Sequence, residues 1–328
     1  MKPLVTVLMP AYNAEEYISD SISSILNQSF SNFDLMIIND ASTDNTEKII
    51  LSFTDKRIKY YKNEKNLRLV STLNKGLDLI STPYVARMDA DDLSHPKRLE
   101  KLFEHLTKNP AVDFLSSSLE LFGSEKGIWS LPLSDDKCKA TLLFRSCLNH
   151  AASIYKKSFL DRNNLRYREN HIYMEDYDLW YRAFRQGAVF KNIDDVLYSY
   201  RREEHNVSIL NRNTSEQRLK SFYKEILRDY NISATSYELD LHCRLRYLND
   251  LKVNDIKNYK LWLELLTKKN NDLLLYPKQA LQEVISEEWR MLYYYICDHY
   301  PELISTYFRL GGVNVKQLYY LFKLKLKN

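Results

Sequence analysis

The sequence contains little glycine. Only 6 of its 328 residues are glycine, and none belongs to a Gly-x-Gly-x-x-Gly or Gly-x-x-x-x-Gly-Lys run. Those runs let backbone amides approach the phosphates of dinucleotides and nucleoside triphosphates. Their absence argues against a typical dinucleotide-binding dehydrogenase and against a P-loop nucleotidase.

Metal-type cysteine spacing, long apolar runs and a strong net charge are missing as well. The cysteines Cys138, Cys147, Cys243 and Cys297 include no Cys-x-x-Cys pair, which argues against a zinc site or a redox disulfide. No stretch approaches the roughly 18 apolar residues of a membrane-spanning helix, and residues 4–9 are too short for a signal-peptide core. A net charge of +4 is too small to indicate nucleic acid as a partner. We therefore expect a globular cytoplasmic protein with reduced thiols.

Short apolar runs alternate with helical patterns along the first hundred residues. Strands are predicted at residues 4–9, 33–38, 58–61 and 84–88. The segments between them carry apolar residues at helical spacing. This repetition predicts an α/β fold with a mostly parallel central sheet flanked by helices.

Polar loops follow three of these predicted strands, at residues 10–13, 39–43 and 89–92. Ligands bind at the carboxyl ends of the strands in open α/β sheets. We therefore expect the three loops to converge on one crevice.

The pattern changes beyond residue 108. Further strands are predicted at residues 112–121, 151–155, 189–193 and 196–200, and further helices at residues 134–144 and 174–186. After about residue 210 only helical patterns remain, for example at residues 215–229 and 278–297. We therefore predict three segments, 1–108, 109–210 and 211–328, of which the last is helical.

Three carboxylates crowd the loop after the fourth predicted strand. Asp89, Asp91 and Asp92 lie within four positions, so their charges repel one another unless a cation is bound. Oxygen ligands of this kind suit Mg²⁺ or Mn²⁺. The alternative is an acidic turn before a helix whose first turn holds Pro96. The two neighbouring polar loops favour the cation site.

Several motifs together resemble one family. They are Pro10-Ala-Tyr-Asn13, Asn39-Asp40, Asp89-Ala-Asp-Asp92 with Pro96-Lys-Arg-Leu99, Glu175-Asp176, and Tyr200-Arg…His205. In this order and spacing, residues 3–210 resemble the family 2 glycosyltransferases, whose fold is the Rossmann-like GT-A type. The resemblance implies that residues 1–108 bind a nucleotide sugar and that residues 109–210 bind the acceptor and supply the catalytic base.

The resemblance also implies which residues bind the donor, usually a UDP-sugar. They are Pro10, Tyr12, Asn13, Asp40, Arg68, Lys75, Asp89, Ala90 and Asp91. Tyr12 offers a ring face to the base, and Asp40 can accept a hydrogen bond from a uracil N–H. The sequence departs from the family before the fourth strand, where a glycine-rich stretch is absent and Lys75 stands near the usual arginine.

A divalent metal, Mn²⁺ or Mg²⁺, is implied in the same way. Asp91 would bind it, together with Asp89 and His205, and Asp92 would assist. The metal neutralises charge on the departing diphosphate. A solvated loop histidine is the alternative for His205, because the segment before it is longer than the usual spacing.

Asp176 is the implied general base of an inverting transfer to an acceptor hydroxyl. Glu175 and His150 are candidate auxiliary or acceptor-binding residues. The alternatives are a helix N-terminus that favours acidic residues, for Glu175 and Asp176, and a structural turn at His150. Asp178, two residues farther along, would face elsewhere on the helix.

The end of the chain is basic. Residues 303–328 hold five lysines and arginines and no acidic residue, interspersed with leucine, tyrosine and phenylalanine. This composition suits the surface of an anionic membrane, such as the inner face of the cell membrane, where a lipid-linked acceptor would lie. A final helix with a solvated lysine face and a homodimer interface are the alternatives.

The leading hypothesis is a glycosyltransferase that builds a surface polysaccharide or a lipid-linked glycan. It would add one sugar per acceptor, because the Gln-x-x-Arg-Trp motif of the processive synthases is absent. The alternative is a non-catalytic nucleotide-sugar-binding assembly protein on the same fold. A nucleotidyltransferase is disfavoured because the loop at residues 10–13 contains no glycine.

Overall fold

A computed structural model describes residues 2–203, 212–243, 251–311 and 314–327. The chain forms two compact units, Met1–Ser215 and Glu216–Asn328.

A sheet of nine strands forms the centre of the first unit. The strands are β1 (Val5–Ala11), β2 (Phe33–Asn39), β3 (Ile58–Lys62), β4 (Tyr84–Arg87), β5 (Leu93–Ser94), β6 (Phe114–Gly123), β7 (Gly127–Trp129), β8 (Ile154–Lys156) and β9 (Phe190–Arg202). Their order is β3-β2-β1-β4-β8-β6-β9-β5, and β7 pairs with β6. Strands β3, β2, β1 and β4 are parallel neighbours, so their carboxyl ends share one edge. The predicted α/β fold with a mostly parallel sheet is confirmed.

Helices cover the sheet. They are α1 (Ile18–Leu26), α2 (Thr46–Ser52), α3 (Arg68–Leu79), α4 (Arg98–Lys108), α5 (Asp135–Thr141), α6 (Lys157–Arg162) and α7 (Glu175–Arg185). Val7 and Met9 of β1 share a buried cluster with Ile22 of α1, while Leu8 faces Gly76 of α3. Because both faces of β1 are covered, the strand has an unbroken apolar sequence.

Two predicted elements differ from the structure. The strands predicted at residues 189–193 and 196–200 are one strand, β9, whose pairing with β6 shifts register between Ile193 and Val196. Such an irregularity lets a strand continue past unpaired polar residues. Helix α4 begins at Arg98, after Pro96, because Arg98 N donates to His95 O (2.9 Å) in a turn that precedes the helix.

The chain continues as helices after β9. They are α8 (Arg212–Asp229), α9 (Ser236–Cys243), α10 (Val253–Leu273), α11 (Lys278–His299), α12 (Ile304–Arg309) and α13 (Val315–Lys327). Within the second unit, Trp262 of α10 donates a hydrogen bond to His242 Nδ1 (3.0 Å), and Trp289 of α11 stacks on Tyr307. None of the helices in the described ranges is both long and apolar enough to cross a membrane.

Candidate functional site

The loops after β1 and β2 bind each other at the carboxyl edge of the sheet. Asp40 N donates to Ala11 O (2.8 Å), and Thr43 N donates to the side chain of Asn13 (2.9 Å). Asn13 and Ala41 both have positive φ, which turns the chain sharply at this edge. Asn13 therefore joins the first two polar loops, and Pro10 is the penultimate residue of β1.

Asp40 is buried, and two hydrogen-bond donors orient its carboxylate. Its Oδ1 accepts hydrogen bonds from Asn63 Nδ2 (2.7 Å) and Leu67 N (2.8 Å). Its Oδ2 receives no hydrogen bond within the described part of the chain. Tyr12, in the preceding loop, is 49% exposed. An acceptor oxygen with an unused lone pair and an exposed ring are what a nucleobase requires.

Lys75 and Arg68, the two basic residues predicted to bind the nucleotide sugar, differ in their surroundings. Lys75 Nζ donates to Asn63 Oδ1 (2.7 Å), so Lys75 supports the residue that orients Asp40. Arg68 is exposed at the start of α3 and has a positive φ of 66°. Arg68 therefore presents its guanidinium to solvent beside the loop that carries Leu67.

Strand β9 fixes the acidic loop through Asp92. This carboxylate is fully buried, and it accepts from Tyr198 OH (2.8 Å) and from Arg201 N (2.7 Å). Burial, together with the nearby charges of Asp89 and Asp91, raises the pKa of Asp92 well above its ordinary value. Because each carboxylate oxygen already has a partner in β9, the structure places Asp92 as an anchor of the loop.

Two hydrogen bonds and two cation–π contacts also hold the acidic loop against β9. Asp89 N donates to Tyr198 OH (3.1 Å), and Arg201 Nε donates to Asp91 O (2.8 Å). The Arg201 guanidinium lies 4.1 Å from the centre of the Tyr17 ring and 4.5 Å from that of Phe122. These two cation–π contacts help to hold the guanidinium in place. The acidic loop is therefore positioned before any ligand arrives.

Asp91 is the carboxylate of this loop that remains unused. No side chain in the described residues donates a hydrogen bond to it, whereas Asp89 Oδ1 pairs with Arg87 Nη2 (2.5 Å). Burial, followed by the charge of Asp89, raises the pKa of Asp91 to about 6. A half-buried carboxylate that receives no side-chain hydrogen bond and lies beside a like charge fits a divalent cation.

A complete metal site is not present in the described residues. No group of three His, Cys, Asp or Glu side chains within them is arranged to hold a metal ion. The predicted ligand His205 lies outside the described residues. Mg²⁺ usually takes only one or two carboxylates and completes its shell with water and substrate phosphates, so Asp91 and its neighbours fit this cation class.

Arg87 is a buried cation between the acidic loop and α7. Burial lowers its pKa, but the charge of Asp89 and the nearby tyrosines outweigh burial, so the net pKa is raised. The same positive charge lowers the pKa values of Asp91 and Glu175 relative to burial alone. The acidic loop and the start of α7 therefore lie within electrostatic reach of one guanidinium.

The predicted base lies at the start of α7. Asp176 is half-buried, and Ser146 Oγ donates to its Oδ2 (3.2 Å). Its neighbour Glu175 is buried, and Glu175 Oε2 has no hydrogen-bond partner among the described residues. Burial, followed by the charge of Asp176, raises the pKa of Glu175 to about 7.

Asp178 is bound within the fold. It is fully buried, Arg168 Nε donates to it (3.1 Å), and Arg182 Nε donates to it (2.9 Å). Two guanidinium groups therefore occupy this carboxylate. Asp178 therefore fixes α7, and Asp176 is the better candidate for the base.

His150 is neutral and half-buried. Its Nε2 forms a hydrogen bond with Tyr167 OH (2.8 Å), and its ring meets Trp180 edge to face. Burial, and then the charge of Arg87, lower the pKa of His150 well below its ordinary value. His150 thus packs against α7 close to the predicted base.

Sequence reasoning missed Arg87 and Tyr198 as parts of the site. The sequence does contain a signal for Arg87, because a charged residue at the end of an apolar strand needs a buried partner. The sequence contains no such signal for Tyr198, because Tyr198 is more than a hundred residues away from Asp89 and Asp92, which it contacts.

The comparisons with known proteins identify the family and the fold. The family described as Glycosyl transferase family 2 matches residues 6–178. The chain is similar to an uncharacterized glycosyltransferase of Haemophilus influenzae, with 35% identity over 242 residues, which cover 70% of this chain and 74% of the relative. It is also similar to the UDP-Glc:alpha-D-GlcNAc-diphosphoundecaprenol beta-1,3-glucosyltransferase WfgD of Escherichia coli, with 28% identity over 258 residues, 78% of this chain and 95% of that protein.

The fold has close structural counterparts. The mannosyltransferase PcManGT of Pyrobaculum calidifontis, solved in complex with GDP-Man and Mn²⁺, superposes with a TM-score of 0.58 at 16% identity. The superposition covers 97% of this chain and 88% of that one. At this identity the likeness shows a shared fold.

Proposed function

Because this chain belongs to glycosyl transferase family 2, we propose that it moves one sugar from a UDP-sugar to a hydroxyl group of a lipid-linked glycan, with inversion at the anomeric carbon. The relative WfgD is named for a UDP-sugar donor and a lipid-diphosphate acceptor, which supports this choice. We place the reaction at the cytoplasmic side of the membrane, because the four cysteines are free thiols.

One observation supports the proposal most strongly. The buried guanidinium of Arg87 pairs with Asp89 and influences the pKa of both Asp91 and Glu175. This shared electrostatic reach supports a single site that includes both the donor-side loop and the acceptor-side helix. A transferase needs a leaving-group site and a base on opposite sides of the sugar, and these two separate segments would supply them.

The donor-binding residues act through the groups that the fold leaves unused. Asp40 offers Oδ2 to the N–H of the nucleobase, since Oδ1 is already occupied. The exposed ring of Tyr12 offers a face on which the base can stack. Pro10 and Ala90 supply backbone walls, and Arg68 offers a cation to the diphosphate.

A divalent cation, Mn²⁺ or Mg²⁺, would be held by Asp91 with help from Asp89 and His205. When bound, it neutralises negative charge on the diphosphate leaving group. The mannosyltransferase of similar fold was solved with Mn²⁺, which supports this cofactor class. Asp92 and Arg201 keep the loop in place without binding the cation themselves.

Asp176 would act as the general base. It removes the proton of the acceptor hydroxyl while that oxygen forms a bond to the anomeric carbon. The bond from the anomeric carbon to the phosphate oxygen breaks, and the nucleoside diphosphate leaves with the electron pair. Burial favours the neutral form of Glu175, so Glu175 does not place a second full charge beside the base.

A panel of nucleotide sugars tests the donor. With Mn²⁺ present, one UDP-sugar should raise the free energy of unfolding by about 2.7 kcal/mol at a concentration of 100 times Kd. Asp91→Asn should remove the Mn²⁺-dependent part, whereas Asp194→Asn, at an exposed aspartate on the same unit, should not.

Three outcomes are informative. Stabilisation of the protein by one UDP-sugar, together with transfer of that sugar to an acceptor, supports the proposal. Stabilisation without transfer to any acceptor favours the non-catalytic assembly protein. The proposal is wrong if no nucleotide sugar stabilises the protein with either Mn²⁺ or Mg²⁺.

A further inference from the structure

Helix α13 is attached to the second unit by one of its faces. Gln317 is fully buried, and its backbone oxygen accepts from Tyr293 OH (2.7 Å) of α11. Tyr320 OH donates to Asp298 Oδ1 (2.6 Å), also on α11. These contacts fix which side of α13 faces α11 and which side faces outward.

The outward side is apolar. The exposed fractions are 81% for Val315, 51% for Leu318, 57% for Tyr319 and 59% for Phe322. Positions three, four and seven apart lie on one face of a helix, so these side chains form a continuous stripe. A rimmed apolar surface of this kind marks a site of interaction. We call these four residues the α13 stripe.

Basic residues flank the α13 stripe. Lys316 and Lys323 are exposed, and Lys323 Nζ lies 5.0 Å from the centre of the Tyr319 ring. No acidic residue occurs in residues 303–328, which contain five basic residues. An apolar face flanked by the lysines of its own helix complements a surface that is both apolar and anionic.

We propose that the α13 stripe binds the surface of an anionic lipid bilayer. The helix would lie in the plane of the interface, with the stripe among the acyl chains and the lysines at the headgroups. Tyr319 suits this depth, since its ring is apolar and its hydroxyl is polar. A second copy of the chain is a poorer occupant, because a symmetric contact would bring lysines together without acidic partners from this segment.

This inference goes beyond glycosyl transfer, because a helix can bind lipid whether or not the enzyme turns over. Its consequence for the reaction is positional. An enzyme held at the bilayer meets a lipid-linked acceptor at high local concentration.

Co-sedimentation with vesicles tests the proposal. The full chain should pellet with vesicles of equal parts phosphatidylcholine and phosphatidylglycerol, and much less with phosphatidylcholine alone. Leu318→Glu combined with Phe322→Glu should weaken binding by about tenfold or more, because charged residues cannot enter the acyl region. Leu261→Glu, at a residue of α10 that is 61% exposed, is the matched control and should bind like the wild type.

Each result decides the question. Charge reversal at Lys316 and Lys323 should also weaken binding to anionic vesicles by about tenfold. Absence of wild-type binding, or equal binding by the Leu318/Phe322 double variant, would overturn the proposal. A concentration-dependent dimer in ultracentrifugation that the double variant abolishes would assign the stripe to a second copy instead. Stabilisation by nucleotide sugars, measured on the same variants, reports separately on the proposed donor site.

Discussion

Tyr198 organises the acidic loop with one hydroxyl group. The hydroxyl accepts a hydrogen bond from Asp89 N and donates one to Asp92 Oδ2. Burial, and then the charges of Asp92 and Asp89, raise the pKa of Tyr198 well above its ordinary value, which favours the protonated hydroxyl that donates to Asp92. The position of Asp91 therefore depends on the hydroxyl of Tyr198, which holds Asp89 and Asp92 on either side of Asp91 in the loop.

Tyr198→Phe tests this dependence. Removing the hydroxyl leaves a buried carboxylate oxygen and a backbone N–H without this partner, so the free energy of unfolding should fall by about 1–3 kcal/mol. Urea denaturation measures the loss. Tyr84→Phe is the control, since the Tyr84 hydroxyl forms no hydrogen bond with any residue that the structure describes, and it should change stability by less than about 0.5 kcal/mol. Equal stabilities of the two variants would contradict the role of Tyr198.

The sequence presents Asp89, Asp91 and Asp92 as equivalent carboxylates, and the resemblance ranks them only by motif. Burial separates them in the structure. Asp92 is anchored by β9 and Asp89 by Arg87, which leaves Asp91 for a ligand. Local sequence patterns contain no information on contacts made by a strand a hundred residues away.

At the scale of elements, the pattern of apolar residues predicted β1, β2, β3 and β4. Strands β1, β2 and β4 are mostly buried, whereas β3 is a partly exposed edge strand. Strand β9 was predicted as two strands, since Asp194 and Asp195 interrupt its apolar pattern at the register shift. The order of strands beyond β4, with β8 and β9 inserted among the earlier strands, depends on long-range pairing that periodicity does not encode.

A substitution at Gly76 in α3 tests how tightly this helix packs on β1 and β2. A Cβ on Gly76 would overlap Leu8 Cδ1 and lie 3.1 Å from Ile38 Cδ1, on β1 and β2. Gly76→Ala gains about 1 kcal/mol of helix propensity, but overpacking a rigid core costs about 1–3 kcal/mol, so we expect a net loss.

Thermal unfolding measures this loss as a lower Tm. Gly127→Ala is the matched substitution, because its Cβ would meet only Leu121 Cδ1, at 3.9 Å, and it should leave Tm nearly unchanged. A Gly76→Ala protein that is more stable than the wild type would show that α3 does not lie against β1 as described.

At the scale of the whole molecule, the family match at residues 6–178 lies inside the first unit. The sequence placed a change of pattern near residue 210, where strand signals end, and the compact units divide after Ser215. The finer division at residue 108 stays a prediction, as does the role of His205, which lies outside the described residues. The helical second unit supplies no motif of the family, so its role had to be argued from its surface.

The central claim is that Asp176 is the base of a sugar transfer in a crevice that Asp40 and Asp91 line on the donor side. The most direct measurement is transfer by Asp176→Asn, with the nucleotide sugar identified by thermal shift and with Asp194→Asn as the control. We expect kcat to fall by about 10²–10⁴. Stabilisation by the donor should stay at the wild-type level, because the amide keeps the shape of the side chain. Turnover within twofold of the wild type, with a properly folded variant, would contradict the account.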